Sequence, residues 1–295
     1  RCAAWCATSD KTMPHTFNRL TAHVHWLSPD STTDRPVLGA IAGTHGTLVV
    51  DAGASPAHAH ALQQAIAGAG LPAPRYLALT HWHWDHIFGS AAWELPTFGH
   101  VETQRMMTHL ATLDWSDAAL DARVAAGEEI AFCRDMMKLE LPDRGGLVLR
   151  PPDIILADQV SIDLGGVTCH LIHVGGDHAA DSVIVHAPED GVVFLSDCYY
   201  QNLYHAPPCY TTANLLPLLD RLLALDADLY LTGHGAEPLT RSELAAEARL
   251  LAQIGRTVDR IGADPVAVLA ALAGTLAQPI DEEVIDLMDL FIAGL

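Results

Sequence analysis

Short apolar runs rich in β-branched residues alternate along this chain with stretches of helical periodicity, and that alternation restricts the fold to a layered α/β architecture. Strand candidates occupy residues 22–27, 37–42, 47–51 and 76–80, and a second set occupies 159–164, 167–173, 182–186, 192–196 and 229–231. Helical patterns cover 56–67, 101–110, 116–126, 212–225 and 241–261, with two more helices expected toward the C-terminus, all within about 240–295. The middle, about 102–152, looks helical and is expected to be an inserted layer or lid, closed by Pro151 and Pro152 because proline disfavours helix at and before itself. No internal repeat of fixed period is present.

Several strand candidates run into residues that bind metals or carry protons. His81 follows 76–80, Asp197 follows 192–196, and His234 comes shortly after 229–231. Open α/β folds build their sites at the carboxyl ends of strands, so one shared site is expected.

At 295 residues, with 50% apolar and 18% charged side chains, the chain can bury a large core and is expected to form a single domain over 13–295. The 36 acidic residues outnumber the 16 basic ones, leaving a formal charge of −20 that repels phosphate backbones and anionic lipids. Neither nucleic acid nor a membrane is an expected partner, a small-molecule substrate is, and the oligomeric state stays open. The longest uncharged apolar stretch, between Asp264 and Asp281, is broken by Pro265, Gly274 and Pro279 and reads as a core-facing helix. Six cysteines are too few for a disulfide scaffold, which makes the cytoplasm the default compartment. Met13 reads as a natural start, so residues 1–12, with Cys2 and Cys6, read as a tag or leader.

The strongest chemical signal is Thr80-His81-Trp82-His83-Trp84-Asp85-His86. Imidazole and carboxylate are the ligands of borderline divalent ions such as zinc, and four of them within six residues exceed what a packed core or an ordinary polar loop needs. In an extended or turning segment His81 and His83 point to one side and can grip one ion, while Asp85 and His86 turn toward another.

A His-x-His-x-Asp-His segment after an apolar strand resembles the signature of the metallo-β-lactamase superfamily, and further motifs follow the family's order across roughly residues 22–235. Asp51, in Val49-Val50-Asp51-Ala52-Gly53, resembles the early structural aspartate. His178, Asp197 and His234 resemble the third histidine of the first metal site, the bridging aspartate and the last histidine of the second. The resemblance implies a four-layer αβ/βα sandwich of two mixed β-sheets flanked by helices. It also implies one ion on His81, His83 and His178, a second on Asp85, His86 and His234, and Asp197 between them. Two departures concern the loop shape: Gly175-Gly176-Asp177 precedes His178 where Pro-Gly is commoner, and Ala179 follows it where threonine is frequent. His173 could be mistaken for a ligand but reads as a buried or supporting residue, and Cys198 should point away from the metals if Asp197 points in.

Two divalent ions, zinc by expectation with iron or manganese as alternatives, would supply a bridging hydroxide for attack on a carbonyl or phosphoryl centre, with Asp85 orienting it and shuttling a proton. The chain has no Gly-x-Ser-x-Gly elbow, no phosphate-binding glycine loop with lysine and no dinucleotide fingerprint. The expected activity is hydrolysis of an ester, lactone, thioester or amide in a small organic substrate. The alternatives are a mononuclear iron dioxygenase acting on a persulfide, a phosphodiesterase, or a metal-binding member without catalysis. Trp82, Trp84, Tyr199, Tyr200, Tyr204, His205 and Tyr210 are candidates for an aromatic site mouth, with one of the four tyrosines as an oxyanion donor.

Overall fold

The computed structural model describes residues 15–295, so the stretch read as a tag or leader and its two cysteines fall outside the described residues. Strands β1 (Phe17–Arg19), β2 (Val24–Leu27), β3 (Leu38–Gly43), β4 (Gly46–Val50), β5 (Pro74–Ala78), β6 (Thr97–His100) and β7 (Ile154–Leu156) lie side by side in chain order. Pairing is antiparallel as far as β4 and parallel from there to β7. A second sheet holds β8 (Gln159–Asp163), β9 (Thr168–His173), β10 (Val183–Ala187), β11 (Val192–Ser196), β12 (Leu229–Thr232) and β13 (Leu239–Thr240), antiparallel except between β11 and β12. Both sheets are therefore mixed, as expected.

The sheets pack face to face. Val24, Ile41, Leu48 and Phe98 from the first meet Leu171, Val183, Phe194 and Leu231 from the second in one buried cluster. The outer face of the first sheet is covered by α1 (Pro56–Gly68), a single turn α2 (Trp84–Ile87), α3 (Val101–Leu110), α4 (Asp117–Ala126) and α5 (Ala131–Glu140). The outer face of the second is covered by α6 (Thr212–Leu223), α7 (Arg241–Ile261), α8 (Pro265–Ala273) and α9 (Glu282–Ala293). The layers run helix, sheet, sheet, helix. Central strands sandwiched on both faces are mostly apolar, and every residue of β4 and β11 is buried, Thr47 and Ser196 included. On α7, Leu244, Ala248, Leu251 and Val258 fall on the inward stripe, and a Thr240–Glu243 capping box starts the helix.

Strand and helix boundaries differ from expectation by two residues at most, and four strands were not legible. β1, β6, β7 and β13 have only two to four residues each, too short for a period-two pattern to register. Finding β6 and β7 changes the meaning of the middle stretch. It is the connection between two adjacent parallel strands rather than an interruption of the fold, as such strands require. Nor is it a lid, because Met107, Leu110, Trp115, Leu120, Cys133 and Met137 are buried in the same cluster as α1 and β4. The buried Arg144 guanidinium locks its far end, donating to the carbonyls of Trp115 and Leu141 and pairing with Asp117. The 264–281 stretch forms α8 and the turn after it, and as expected it faces the core, through Val268 and Leu272, while Val266 on the other side is 76% exposed.

Phe194→Ala should destabilise the chain by about 3–5 kcal/mol, because the ring lies between the two sheets where neighbours cannot close over the cavity. Denaturant unfolding checks this, and a loss under about 1 kcal/mol would contradict the inter-sheet packing.

Candidate metal centre

All seven residues expected to bind metal converge at one end of the sandwich, where strands of both sheets finish. β5 ends at Ala78, and Leu79 and Thr80 lead the chain over to the second sheet, where the Thr80 carbonyl accepts from Val183 N. His81 and His83 follow in extended backbone, and His83 stands at the N-terminus of α2, so Asp85 and His86 leave the chain from a helical turn. The change from extended to helical backbone divides the motif between two sides.

Asp51 holds this segment in place. It follows β4 with φ of 64°, a left-handed conformation that aspartate tolerates better than most residues. Its Oδ1 accepts from Thr80 N at 2.8 Å, and its Oδ2 accepts from Thr80 Oγ1 at 2.9 Å and from His86 Nδ1 at 2.8 Å. With Nδ1 held by Asp51, Nε2 is the nitrogen that faces the centre.

Asp197 reaches the centre through an irregularity in the β11–β12 register between Phe194 and Ser196, which re-aims the chain as a bulge does. A tight turn follows, with Cys198 N donating to Leu195 O and Tyr200 N to Asp197 O. Cys198 points into the helical core as expected, but the turn directs it there and not strand alternation. Gly233 packs directly beneath Asp197, and a β-carbon there would overlap Asp197 Oδ1. The Gly175-Gly176-Asp177 departure also has a structural role. Gly176, at φ 136°, passes over the Cys198 carbonyl where a β-carbon would collide. The Asp177 carboxylate accepts from Thr211 N, Thr211 Oγ1 and Asn214 Nδ2, each at 2.7 Å, tying the loop to the start of α6. His178 Nδ1 then meets the Gln201 carbonyl at 3.1 Å, turning Nε2 inward.

Two groups of ligand atoms result: His81, His83 and His178 form one, and Asp85, His86, Asp197 and His234 the other, each within 4.8 Å. Asp197 Oδ2 stands between them, 3.8 Å from His81 Nε2 and 3.4 Å from His178 Nε2, and 3.3 Å and 3.5 Å from the Nε2 atoms of His86 and His234. Asp85 Oδ2 lies 3.1 Å from His86 Nε2 and 3.2 Å from His234 Nε2. Ligand atoms about 2.0–2.1 Å from a tetrahedral ion stand ~3.3 Å from one another, so this spacing matches ligands grouped around ions. The Nε2 atoms of His81, His83, His86 and His178 and Oδ1 of Asp197 are buried with no hydrogen-bond partner among the described residues. A donor set of this kind fits divalent metal, since buried polar atoms otherwise need partners.

The electrostatics divide the two groups, because against the effect of burial Asp85, Asp51 and Asp197 push His86, like His234, toward the charged form, whose proton a metal ion would displace. Burial, reinforced by neighbouring imidazoles, pushes His81 and His83 well below the usual range, leaving them neutral as ligands must be. Burial opposes charge on Asp85 and Asp197, yet His86 and His234 hold both well below the carboxylate range. Burial likewise opposes charge on His234, but Asp197 and Asp34 push it up to about 10.

Asp34 had no sequence signal. It lies in the turn between β2 and β3 at φ 58°, is 7% exposed, and places Oδ1 3.6 Å from His234 Nδ1. Only the fold brings residue 34 beside residue 234. The four tyrosines separate: Tyr199 and Tyr210 are buried in the helical core, Tyr200 has its ring 6.0 Å from that of His178, and Tyr204 packs at 5.4 Å from His83 and 5.5 Å from Trp82. Trp84 is buried against Phe88, while the exposed His205 pairs with the Pro207 carbonyl. His173 is half-buried rather than buried; its ring stacks on His100 at 3.9 Å and it is not among the grouped ligand atoms.

A model of the metallo-beta-lactamase superfamily matches residues 38–234. The chain is 26% identical over 214 residues to the alpha subunit of 2,4-dinitroanisole O-demethylase from Nocardioides sp. (strain JS1661), spanning 72% of this chain but only 56% of that protein. Among solved structures, a metallo-beta-lactamase family protein from Thermus thermophilus superposes with a TM-score of 0.58 at 19% identity, covering 93% of this chain and 92% of the other. The stereoselective inverting sec-alkylsulfatase Pisa1 from Pseudomonas sp. superposes with a TM-score of 0.65 at 12% identity, covering 95% of this chain and 49% of the other. Both structural likenesses speak to the fold.

Gly233→Ala should displace the Asp197 carboxylate and lower divalent-metal affinity on the order of 10–100-fold, as loss of ligand orientation does, while the circular dichroism spectrum stays unchanged. Chelator competition measures it, and an unaltered affinity would show that the contact is not critical.

Proposed function

Because the chain belongs to the metallo-β-lactamase superfamily, we propose that it is a metal-dependent hydrolase that takes two divalent ions, zinc by preference, and cleaves an ester, lactone, thioester or amide bond in a small organic molecule. One observation carries this reading: two adjoining ligand groups share the Asp197 carboxylate, which stands between imidazoles of both. When bound, a metal pair supplies Lewis acidity and brings the pKa of a coordinated water toward neutrality, so hydrolysis needs no nucleophilic side chain.

The remaining work falls to this chain's own groups. Asp85, ionised and facing both His86 and His234, is the carboxylate placed to orient water and accept its proton. The Tyr204 and Trp82 rings wall the approach to His83, and the Tyr204 hydroxyl donates to Glu129 Oε1 at 3.1 Å, which fixes the ring. An aromatic wall suits an apolar or planar organic group. The formal charge of −20 opposes polyanions, so a nucleic-acid substrate is disfavoured. Among the described residues no helix is long and apolar enough to cross a membrane.

Elemental analysis should find about two zinc ions per chain, as a two-metal site requires, with turnover lost on chelation and restored by zinc. A single iron per chain, held by the three-histidine group, would instead support the mononuclear dioxygenase. His83→Ala should lower both metal content and turnover; full loading and full rate in that variant would refute the assignment. The bond type is read from a panel of lactone, thioester, β-lactam and phosphodiester substrates. The related proteins add a methoxyarene and a secondary alkyl sulfate to that panel. No hydrolysis of any of them by the zinc-loaded protein would favour a member that binds metal without catalysis.

A further inference from the structure

Glu140 ends α5 in the helical connection between β6 and β7, far along the chain from every grouped ligand, yet its carboxylate is almost fully buried. Three residues from two segments satisfy it. Thr33 Oγ1 donates to Oε2 at 2.6 Å, Arg35 Nε lies 2.9 Å from both oxygens, and the Ser55 hydroxyl donates to Oε1. Thr33 and Arg35 flank Asp34, so Glu140 grips the turn on both sides of that residue. Asp30 and Arg35 close the same turn with a pair of backbone hydrogen bonds at 3.0 Å and 2.9 Å. On its other side the segment meets the strand end that carries His234: Val37 N donates to the Gly233 carbonyl, and Asp34 Oδ1 faces His234 Nδ1 at 3.6 Å.

We propose that Asp34 orients His234 and that Glu140 is the positioning residue that holds Asp34 there, so that a carboxylate of the β6–β7 connection sets how tightly the Asp85–His86–His234 group takes its ion. This rests on the two-metal reading above. An imidazole that ligates through Nε2 needs an acceptor on Nδ1 to fix its tautomer and ring plane. His86 has Asp51 for this and His178 has the Gln201 carbonyl. For His234 the acidic group in that place is Asp34, and closing 3.6 Å by a few tenths of an ångström makes it a hydrogen bond. Left-handed backbone at Asp34 has a conformational cost for any residue other than glycine, a cost borne where surroundings over-determine the geometry. The threefold grip of Glu140 on this turn and on Ser55 is that surrounding. None of these contacts touches His81, His83 or His178, so the effect is confined to one of the two ions.

The test is a two-step zinc titration of metal-free protein against a chromophoric chelator, on wild type, Asp34→Asn and Glu140→Gln, with the thermal midpoint of each metal-free protein recorded. Both variants should bind one zinc as wild type does and the second on the order of 10–100-fold more weakly, the usual cost of losing an outer partner of a ligand. Should Glu140→Gln unfold the turn outright, Asp34→Asn keeps the side-chain size and the Glu140 grip, so the prediction can be read from it alone. Wild-type affinity for both ions in Asp34→Asn would overturn the role of Asp34. An equal weakening of both ions would make the cluster a general structural support and overturn the selectivity. If Glu140→Gln lowers the thermal midpoint but leaves the second affinity intact, Glu140 is not a positioning residue. Wild type that never takes up a second zinc would refute the two-metal reading itself, which separates that failure from the others.

Discussion

A single carboxylate oxygen, Asp197 Oδ2, lies within 3.3–3.8 Å of four imidazole nitrogens that arrive from three other parts of the chain. Burying so many polar atoms together without partners costs on the order of several kcal/mol. Positive charge among them reverses that sign, because neutral imidazoles and ionised carboxylates are the forms that bind a divalent ion. The placement of the ligands, and much of the loop structure around them, serves to hold this arrangement before any ion is present.

Preorganisation comes from partners outside the ligand set. Asp51 binds Thr80 and His86 together, and Ser196, at 2.9 Å from Thr80 Oγ1, draws the end of β11 into the same network. One buried cluster thereby ties β4, the residues after β5 and the residues before Asp197, which belong to two different sheets. Asp177 does the same for the His178 loop by capping it onto α6. Each is a short polar side chain at a strand end or turn, where backbone groups lack ladder partners and side chains can supply them.

The helical connection from β6 to β7 reaches the centre at two places. Glu140 braces the turn behind the Asp85–His86–His234 group, and Glu129 holds the phenol of Tyr204 over His83. A segment that first reads as an inserted layer or lid is thus packed into the core on one side and holds residues that neighbour the ligands on the other. Its helices account for the burial of Leu120 and Met137, whose period-3.6 spacing is local; its two carboxylates act at a distance no local pattern encodes.

From the amino-acid sequence came the layered α/β class, the long central strands, the helices from α6 to α7 and the His81–His86 ligand cluster by local rules, periodicity over five or more residues and ligand-type side chains crowded after a strand, whereas His178, Asp197 and His234 were legible as ligands only through the resemblance to a known family. What the sequence could not determine were β1, β6, β7 and β13, too short to show a period, and the identity of the middle stretch as a parallel crossover, which depends on which strands pair. Nor could it place Asp34 and Glu140, or separate Tyr204 from Tyr199 and Tyr210, since the first two are single acidic residues with no surrounding motif and the three tyrosines share one neighbourhood in the chain. The His81–His86 ligands announce themselves because particular residue types stand close together in the chain, and the other three because their motifs follow a known family's order. The groups that orient them need only be close in space, and spatial proximity between residues 34, 140 and 234 exists only once the two sheets have packed.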